Sequence, residues 1–158
     1  MRKIIDLSFQ VGAIMLIAIL VLVFATCNNK AKDKVAIDSK DGVQFIASSL
    51  EQAAALSKKE NKPIFLLAHA SYCSSCKKMF NNIFPLKEVG DVFNKNFINA
   101  QVDIESDEGI KIVKDFEVAG TPTLLFLAPD GKVINRSSGY QNKEELLALA
   151  GTIKPINN

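Results

Sequence analysis

The chain is 158 residues long, 48% hydrophobic and 23% charged, which allows one compact domain once a targeting segment is set aside, and not two. Its formal charge of +2 is spread along the sequence without a block of Lys and Arg, so nucleic acid is not expected as a partner. Aromatic residues are mostly Phe, and Trp is absent.

Arg2 and Lys3 open the chain, and Val11 to Ala25 then run without a charge before Thr26-Cys27 and the polar Asn28-Asn29-Lys30. That is the layout of an export signal. Its apolar core is short of the roughly 20 residues that a spanning helix needs. Ala25-Thr26-Cys27 resembles the lipobox of bacterial lipoproteins, although Phe24 stands where Leu is usual, Thr26 where Gly, Ala or Ser is usual, and Asp6 is odd in a basic leader. Three fates stay open: a lipid on Cys27 after cleavage, an uncleaved N-terminal membrane anchor, and ordinary secretion. All three place the domain outside the cytoplasm, in the periplasm or cell envelope. Residues 1–27 therefore read as leader or anchor, 28–42 as a flexible tether of Lys, Asp and Ser, and 43–155 as the domain.

Val43 to Ile46 suggests a short edge strand. Ser48-Ser49-Leu50-Glu51 has the spacing of a capping box, and Leu50, Ala53 and Ala54 recur on one face of a helix that Asn61-Lys62-Pro63 stops. Ile64 to His69 is apolar nearly throughout, as expected of a central parallel strand covered on both faces. After it comes Ala70-Ser71-Tyr72-Cys73-Ser74-Ser75-Cys76-Lys77-Lys78-Met79, with helix signals to Asn82, an interruption at Pro85, and a further turn or two suggested by Val89, Val92 and Phe93. Phe97 to Asp103 is the next strand. Asp107 to Phe116, with Ile110, Val113 and Phe116 three apart, is an amphipathic helix. Gly120-Thr121-Pro122-Thr123 leads into the strand Leu124 to Leu127, and Pro129-Asp130-Gly131 turns it into a hairpin with Val133 to Ser137. Asn142 caps a last helix ending near Gly151. The order reads βαβα followed by ββα.

Two cysteines separated by two residues can cycle between dithiol and disulfide. At a helix start, unpaired N–H groups and the macrodipole favour a thiolate on Cys73, making it the nucleophile. Cys76, one turn on, is then placed to resolve the mixed disulfide. Two other readings of the pair are open. One is a soft-metal site for copper or zinc, for which His69 and Met79 are the other nearby donors. The other is a structural disulfide, whose loop is too small to stabilise folding much.

His69, the only histidine, shares strand parity with Leu67 and precedes Cys73 by four residues. A proton relay is one reading; a partly buried strand residue satisfied by hydrogen bonds is the plainer one, adopted here. Lys77 and Lys78 read as solvated, and Glu105 to Glu108 as an exposed loop and helix start. Ser74-Ser75 is expected to tune the redox potential through donors near the sulfur.

Lys62-Pro63, Cys73-Ser74-Ser75-Cys76-Lys77, Val118-Ala119-Gly120-Thr121-Pro122-Thr123, Asp130-Gly131-Lys132 and Gly139-Tyr140 occur in the order seen in the thioredoxin-fold family. The domain resembles that family over Val43 to Lys154. It is similar in particular to the C-terminal domain of the periplasmic thiol:disulfide interchange reductase and to short exported thioredoxin-like proteins. The resemblance implies a three-layer α/β fold with a central mixed sheet of four to five strands flanked by helices. It also implies a Cys73–Cys76 disulfide, a cis Pro122 beside the cysteines, and a Thr121 backbone that pairs with an extended substrate. Tyr72 stands where Trp is usual, Leu67 where a buried acid is usual, and Gln101 where its Lys companion is usual. The implied activity is thiol-disulfide exchange with protein thiols and disulfides of the cell envelope and an upstream redox partner; oxidant, reductant and isomerase all stay open, and the resemblance favours reductant. No metal or external cofactor, attachment to the membrane through the N-terminus, and a monomer are expected. A metal-binding or partner-docking module without turnover is the alternative.

Overall fold

The computed structural model describes residues 40–154 apart from Ser48. The expected leader, Cys27 and nearly all of the tether lie outside these residues. Within the described residues nine elements follow one another: α1 (Leu50–Glu60), β1 (Ile64–His69), α2 (Ser74–Asn82), α3 (Lys87–Asn96), β2 (Ile98–Asp103), α4 (Asp107–Asp115), β3 (Thr123–Leu127), β4 (Val133–Ser138) and α5 (Lys143–Gly151). The sheet order is β2-β1-β3-β4, with β1 parallel to β2 and antiparallel to β3, and β3 antiparallel to β4.

Side-chain alternation along β1 divides the interior into two layers. Phe65 and Leu67 face a core built with Met79 and Phe80 of α2, Val89 and Phe93 of α3, and Leu146 and Ala150 of α5. Ile64, Leu66 and Ala68 face the opposite core with Ala53 of α1 and Ile112 of α4. This is the three-layer α/β architecture expected. Phenylalanine does the filling that Trp would otherwise do: Phe65 meets the rings of Phe45, Phe84, Phe93 and Phe126.

Four expectations need correction. Val43 to Ile46 forms no strand; a single bridge from Ala47 to Ala100 takes its place, and Ile46 and Ala47 both donate to Asn99 O. The cap of α1 is Ser49, one residue later than the capping-box spacing suggests, and its hydroxyl accepts from Gln52 N–H at 3.1 Å. The segment after Pro85 is the full helix α3, not a turn or two, because Val89, Gly90 and Phe93 all bury.

The buried stripe of α4 is also turned from the one read. Gly109 and Ile112 are inside while Ile110 is 60% exposed. The cause is a close approach: a Cβ on Gly109 would overlap the Asp103 carbonyl, so only glycine lets α4 press against the end of β2.

Turns behave as their residues dictate. Asn61 ends α1 in the left-handed region (φ 51°), and Gly131 (φ 87°) closes the β3–β4 turn, where Gly131 N–H donates to Ala128 O. Asn142 and Glu145 form a reciprocal capping box at α5. No helix among the described residues is long and apolar enough to cross a membrane.

Candidate active site

The apolar strand β1 delivers the chain through Ala70, Ser71 and Tyr72 to Cys73, which is the N-cap of α2 (φ −74°, ψ 102°). A turn holds it there, with Cys73 N–H donating to Ala70 O at 3.1 Å. Cys73 and Cys76 are joined by a disulfide, and Cys76 N–H donates to Cys73 Sγ at 3.0 Å. No acid stands in the first turn of α2, so the positive end of the helix is left to the sulfur.

Exposure separates the two sulfurs' surroundings from their neighbours. Cys73 is 7% and Cys76 1% exposed, whereas Tyr72 is 69% exposed, forming an aromatic edge beside a nearly enclosed disulfide. Leu67 is fully buried in the same core as both cysteines and pairs in register with Gln101. The two positions at which an acid and a lysine are usual in the resembled family are thus strand neighbours, and in this chain neither carries a charge. Lys77 and Lys78 are exposed on α2.

The strand β3 brings in the second part of the site. Ala68 pairs with Thr123, so Pro122, one step earlier, lies at the cysteine end of the sheet. The Thr121–Pro122 bond is cis. Gly139 N–H donates to Pro122 O at 2.8 Å, which brings Gly139 (φ 89°) and the half-exposed Tyr140 to the same end. Within the described residues no backbone hydrogen bond uses the N–H or C=O of Thr121.

His69 lies on the cysteine side of β1, its ring edge-on to Phe80 at 5.3 Å. As read, His69 is a partly buried strand residue, and its surroundings include the Phe80 ring and the Asp103 carboxylate, its register partner. Burial, the larger effect, pushes its pKa below the ordinary 6.5, and Asp103 opposes that. A base that is harder to protonate folded than unfolded contributes stability that is complete above pH 6.5 and is lost as pH falls from there through the lower folded value. Urea midpoints are therefore expected to fall more steeply between pH 7 and 5 for the native chain than for His69→Gln; parallel curves would refute this.

One contact is not signalled in the sequence. Glu105 Oε2 accepts from Ser71 Oγ at 2.8 Å and from Ser71 N–H at 3.3 Å. It joins the β2–α4 loop to the cysteine loop across 34 positions, a separation over which local periodicity is silent. Glu108 of the same acidic run accepts from Leu50 N–H at the start of α1. Among the described residues no group of three His, Cys, Asp or Glu could hold a metal ion, and Met79 is fully buried, so a metal reading would rest on the two cysteines alone.

The thiol-disulfide oxidoreductase ResA of Bacillus thuringiensis is 29% identical over 143 residues, covering 78% of this chain and 82% of that protein. A solution structure of a thioredoxin from Thermus thermophilus superposes with a TM-score of 0.64 at 23% identity, over 70% of this chain and 86% of that one. The oxidised C-terminal domain of Neisseria meningitidis DsbD gives 0.60 at 21% identity, over 68% of this chain and the whole of that one; at these identities the two structures speak for the fold. The thioredoxin-like domain profile matches residues 50–154, from the first turn of α1 to the end of α5 and past it. The chain with its Cys73–Cys76 disulfide therefore belongs to the thioredoxin-like domain family.

Proposed function

We propose that this chain is an exported thiol-disulfide oxidoreductase that reduces protein disulfides in the cell envelope. The observation that carries the reading is Cys73 at the N-cap of α2, disulfide-bonded to Cys76 and receiving its N–H. In the reduced pair, helix dipole and N–H favour the thiolate on Cys73, while burial keeps Cys76 a thiol.

The reaction balances as a two-electron exchange. The Cys73 thiolate attacks a substrate disulfide R–S–S–R′, forming Cys73–S–S–R and releasing R′–S⁻. Cys76 then loses its proton and attacks Cys73, giving the Cys73–Cys76 disulfide and R–SH. Tyr72 forms the lip against which the substrate lies, and Thr121, with its backbone uncommitted, pairs with the extended segment beside Pro122. Leu67 leaves the Cys76 proton to water or to a carboxylate outside the core.

Reductant is the favoured direction because both sulfurs are nearly buried, which penalises a charged thiolate against the pull of the helix N-terminus, and a less stable thiolate makes a more reducing pair. The export layout of residues 1–27 supports the envelope as the site of action, with the chain held by a lipid on Cys27 or by an uncleaved anchor, 28–42 as tether and 43–155 as a monomeric domain. An upstream dithiol would regenerate the reduced pair. Rapid acid quenching and alkylation of cells tests the direction: Cys73 and Cys76 are expected mostly as dithiol at steady state, and a pair found mostly oxidised would overturn the reductant role.

A further inference from the structure

We propose that Glu105 is a positioning residue for the cysteine pair, whose carboxylate both clamps the cysteine loop and holds the couple more reducing. This rests on the reading of Cys73–Cys76 as a redox couple and names a control on it. Two hydrogen bonds from Ser71, one from its hydroxyl and one from its N–H, end on the same Glu105 oxygen. Ser71 is two residues from Cys73, at most about 7 Å of chain. Among the described residues, no other carboxylate is hydrogen-bonded to the loop from Ala70 to Cys76.

Glu105 is carried by a braced segment. Its own N–H donates to Asp103 Oδ1 at 3.0 Å, Ile104 N–H donates to His69 O at 2.9 Å, and Ser106 N–H donates to Asp103 O at 3.0 Å. Ser106 Oγ also donates to Asp103 O, and Gly109 of α4 is pressed on the same carbonyl. The end of β1 is thus tied to the end of β2 just before the acid, and the turn that carries Glu105 is closed on Asp103 and packed against α4, so the acid sits on a braced segment beside the strand that leads into the cysteine loop.

The charged groups around the pair act in opposite senses. Lys77 and Lys78, exposed on α2, favour a Cys73 thiolate, as does the helix N-terminus. Glu105 opposes them, as does Asp103 from farther along β2; His69, kept neutral by burial, adds no charge at neutral pH. An anion beside the cysteine loop raises the free energy of the thiolate form, and destabilising the reduced state lowers the potential. The exposed setting of Glu105 makes this effect modest and sensitive to salt.

Glu105→Gln keeps an acceptor for Ser71 and removes only the charge. In the full-length chain equilibrated with glutathione, with Cys73 and Cys76 read by alkylation and peptide mass, it is expected to shift the equilibrium about threefold toward the dithiol. That is about 14 mV on the two-electron scale of ~30 mV per tenfold. The pH midpoint of Cys73 alkylation should drop by about half a unit, both shifts should shrink at 1 M salt, and Glu105→Asp should restore most of each. A Glu105→Gln chain with a lower unfolding midpoint but an unchanged equilibrium and alkylation profile would overturn the proposal, leaving only a structural clamp. Because equilibrium and alkylation are read without a protein substrate, a native chain that equilibrates normally yet reduces no substrate disulfide would overturn the functional reading and leave this test intact.

Discussion

Phe65→Ala is expected to cost about 3–5 kcal/mol, the range for removing a buried aromatic ring from a packed core. Phe65 is fully buried on the central strand, and its ring centre lies 4.8 Å from that of Phe93, 5.3 Å from Phe126 and 6.2 Å from both Phe45 and Phe84. Those partners come from α3, β3 and the segments flanking α1 and α2, so the cavity left behind has walls on several separate elements and cannot close by moving one of them. With a total stability of about 5–15 kcal/mol for a domain of this kind, the variant sits near the limit of folding. Phe65→Leu, which keeps most of the volume, should lose less than half as much. Urea unfolding measures the difference as a shift in midpoint at constant slope. If Phe65→Ala lost no more than Ile134→Ala, at a site 44% exposed, the account of the core would be wrong.

Strand positions are legible in the sequence where both faces are buried. β1 and β3 are continuous apolar runs whose observed limits fall within a residue of those read, because a strand covered on two sides has no polar alternation to blur its ends. Caps with a side-chain mechanism are legible too, as at Asn142. Periodicity fails where a backbone contact outranks side-chain hydrophobicity. On α4 a glycine, which counts for nothing in an apolar pattern, selects the inward face and leaves Ile110 outside. The cysteine pair can be found because its two-residue spacing carries the chemistry, and the Thr121-Pro122 step because its place after the pair matches the resembled family. The Glu105–Ser71 contact cannot, since nothing in an acidic run says which of its members will turn toward a loop 34 positions away.

Cys76→Ser is expected to convert turnover into accumulation. In the proposed reaction Cys73 attacks first and Cys76 resolves, so removing the second thiol leaves Cys73–S–S–R with no internal route to release. Cys73→Ser removes the attacking sulfur, so no adduct forms. Both variants should reduce a protein disulfide no faster than buffer, yet only one should hold its substrate. The asymmetry follows from position: Cys73 is the N-cap, open to the exposed edge at Tyr72, while Cys76 lies inside the helix at 1% exposure. Stability should hardly change in the reduced state, since Ser differs from Cys by one atom, although at Cys76 the buried hydroxyl would cost about 1–3 kcal/mol if it found no partner. The direct measurement is a trapping experiment on cell-envelope proteins with the full-length chain, read on non-reducing gels and by peptide mass across the adduct. The predicted result is a set of mixed disulfides through Cys73 in Cys76→Ser, absent from Cys73→Ser and released by dithiothreitol. Adducts formed equally by both variants, or by neither, would contradict the assignment of Cys73 as the attacking thiol of a redox couple.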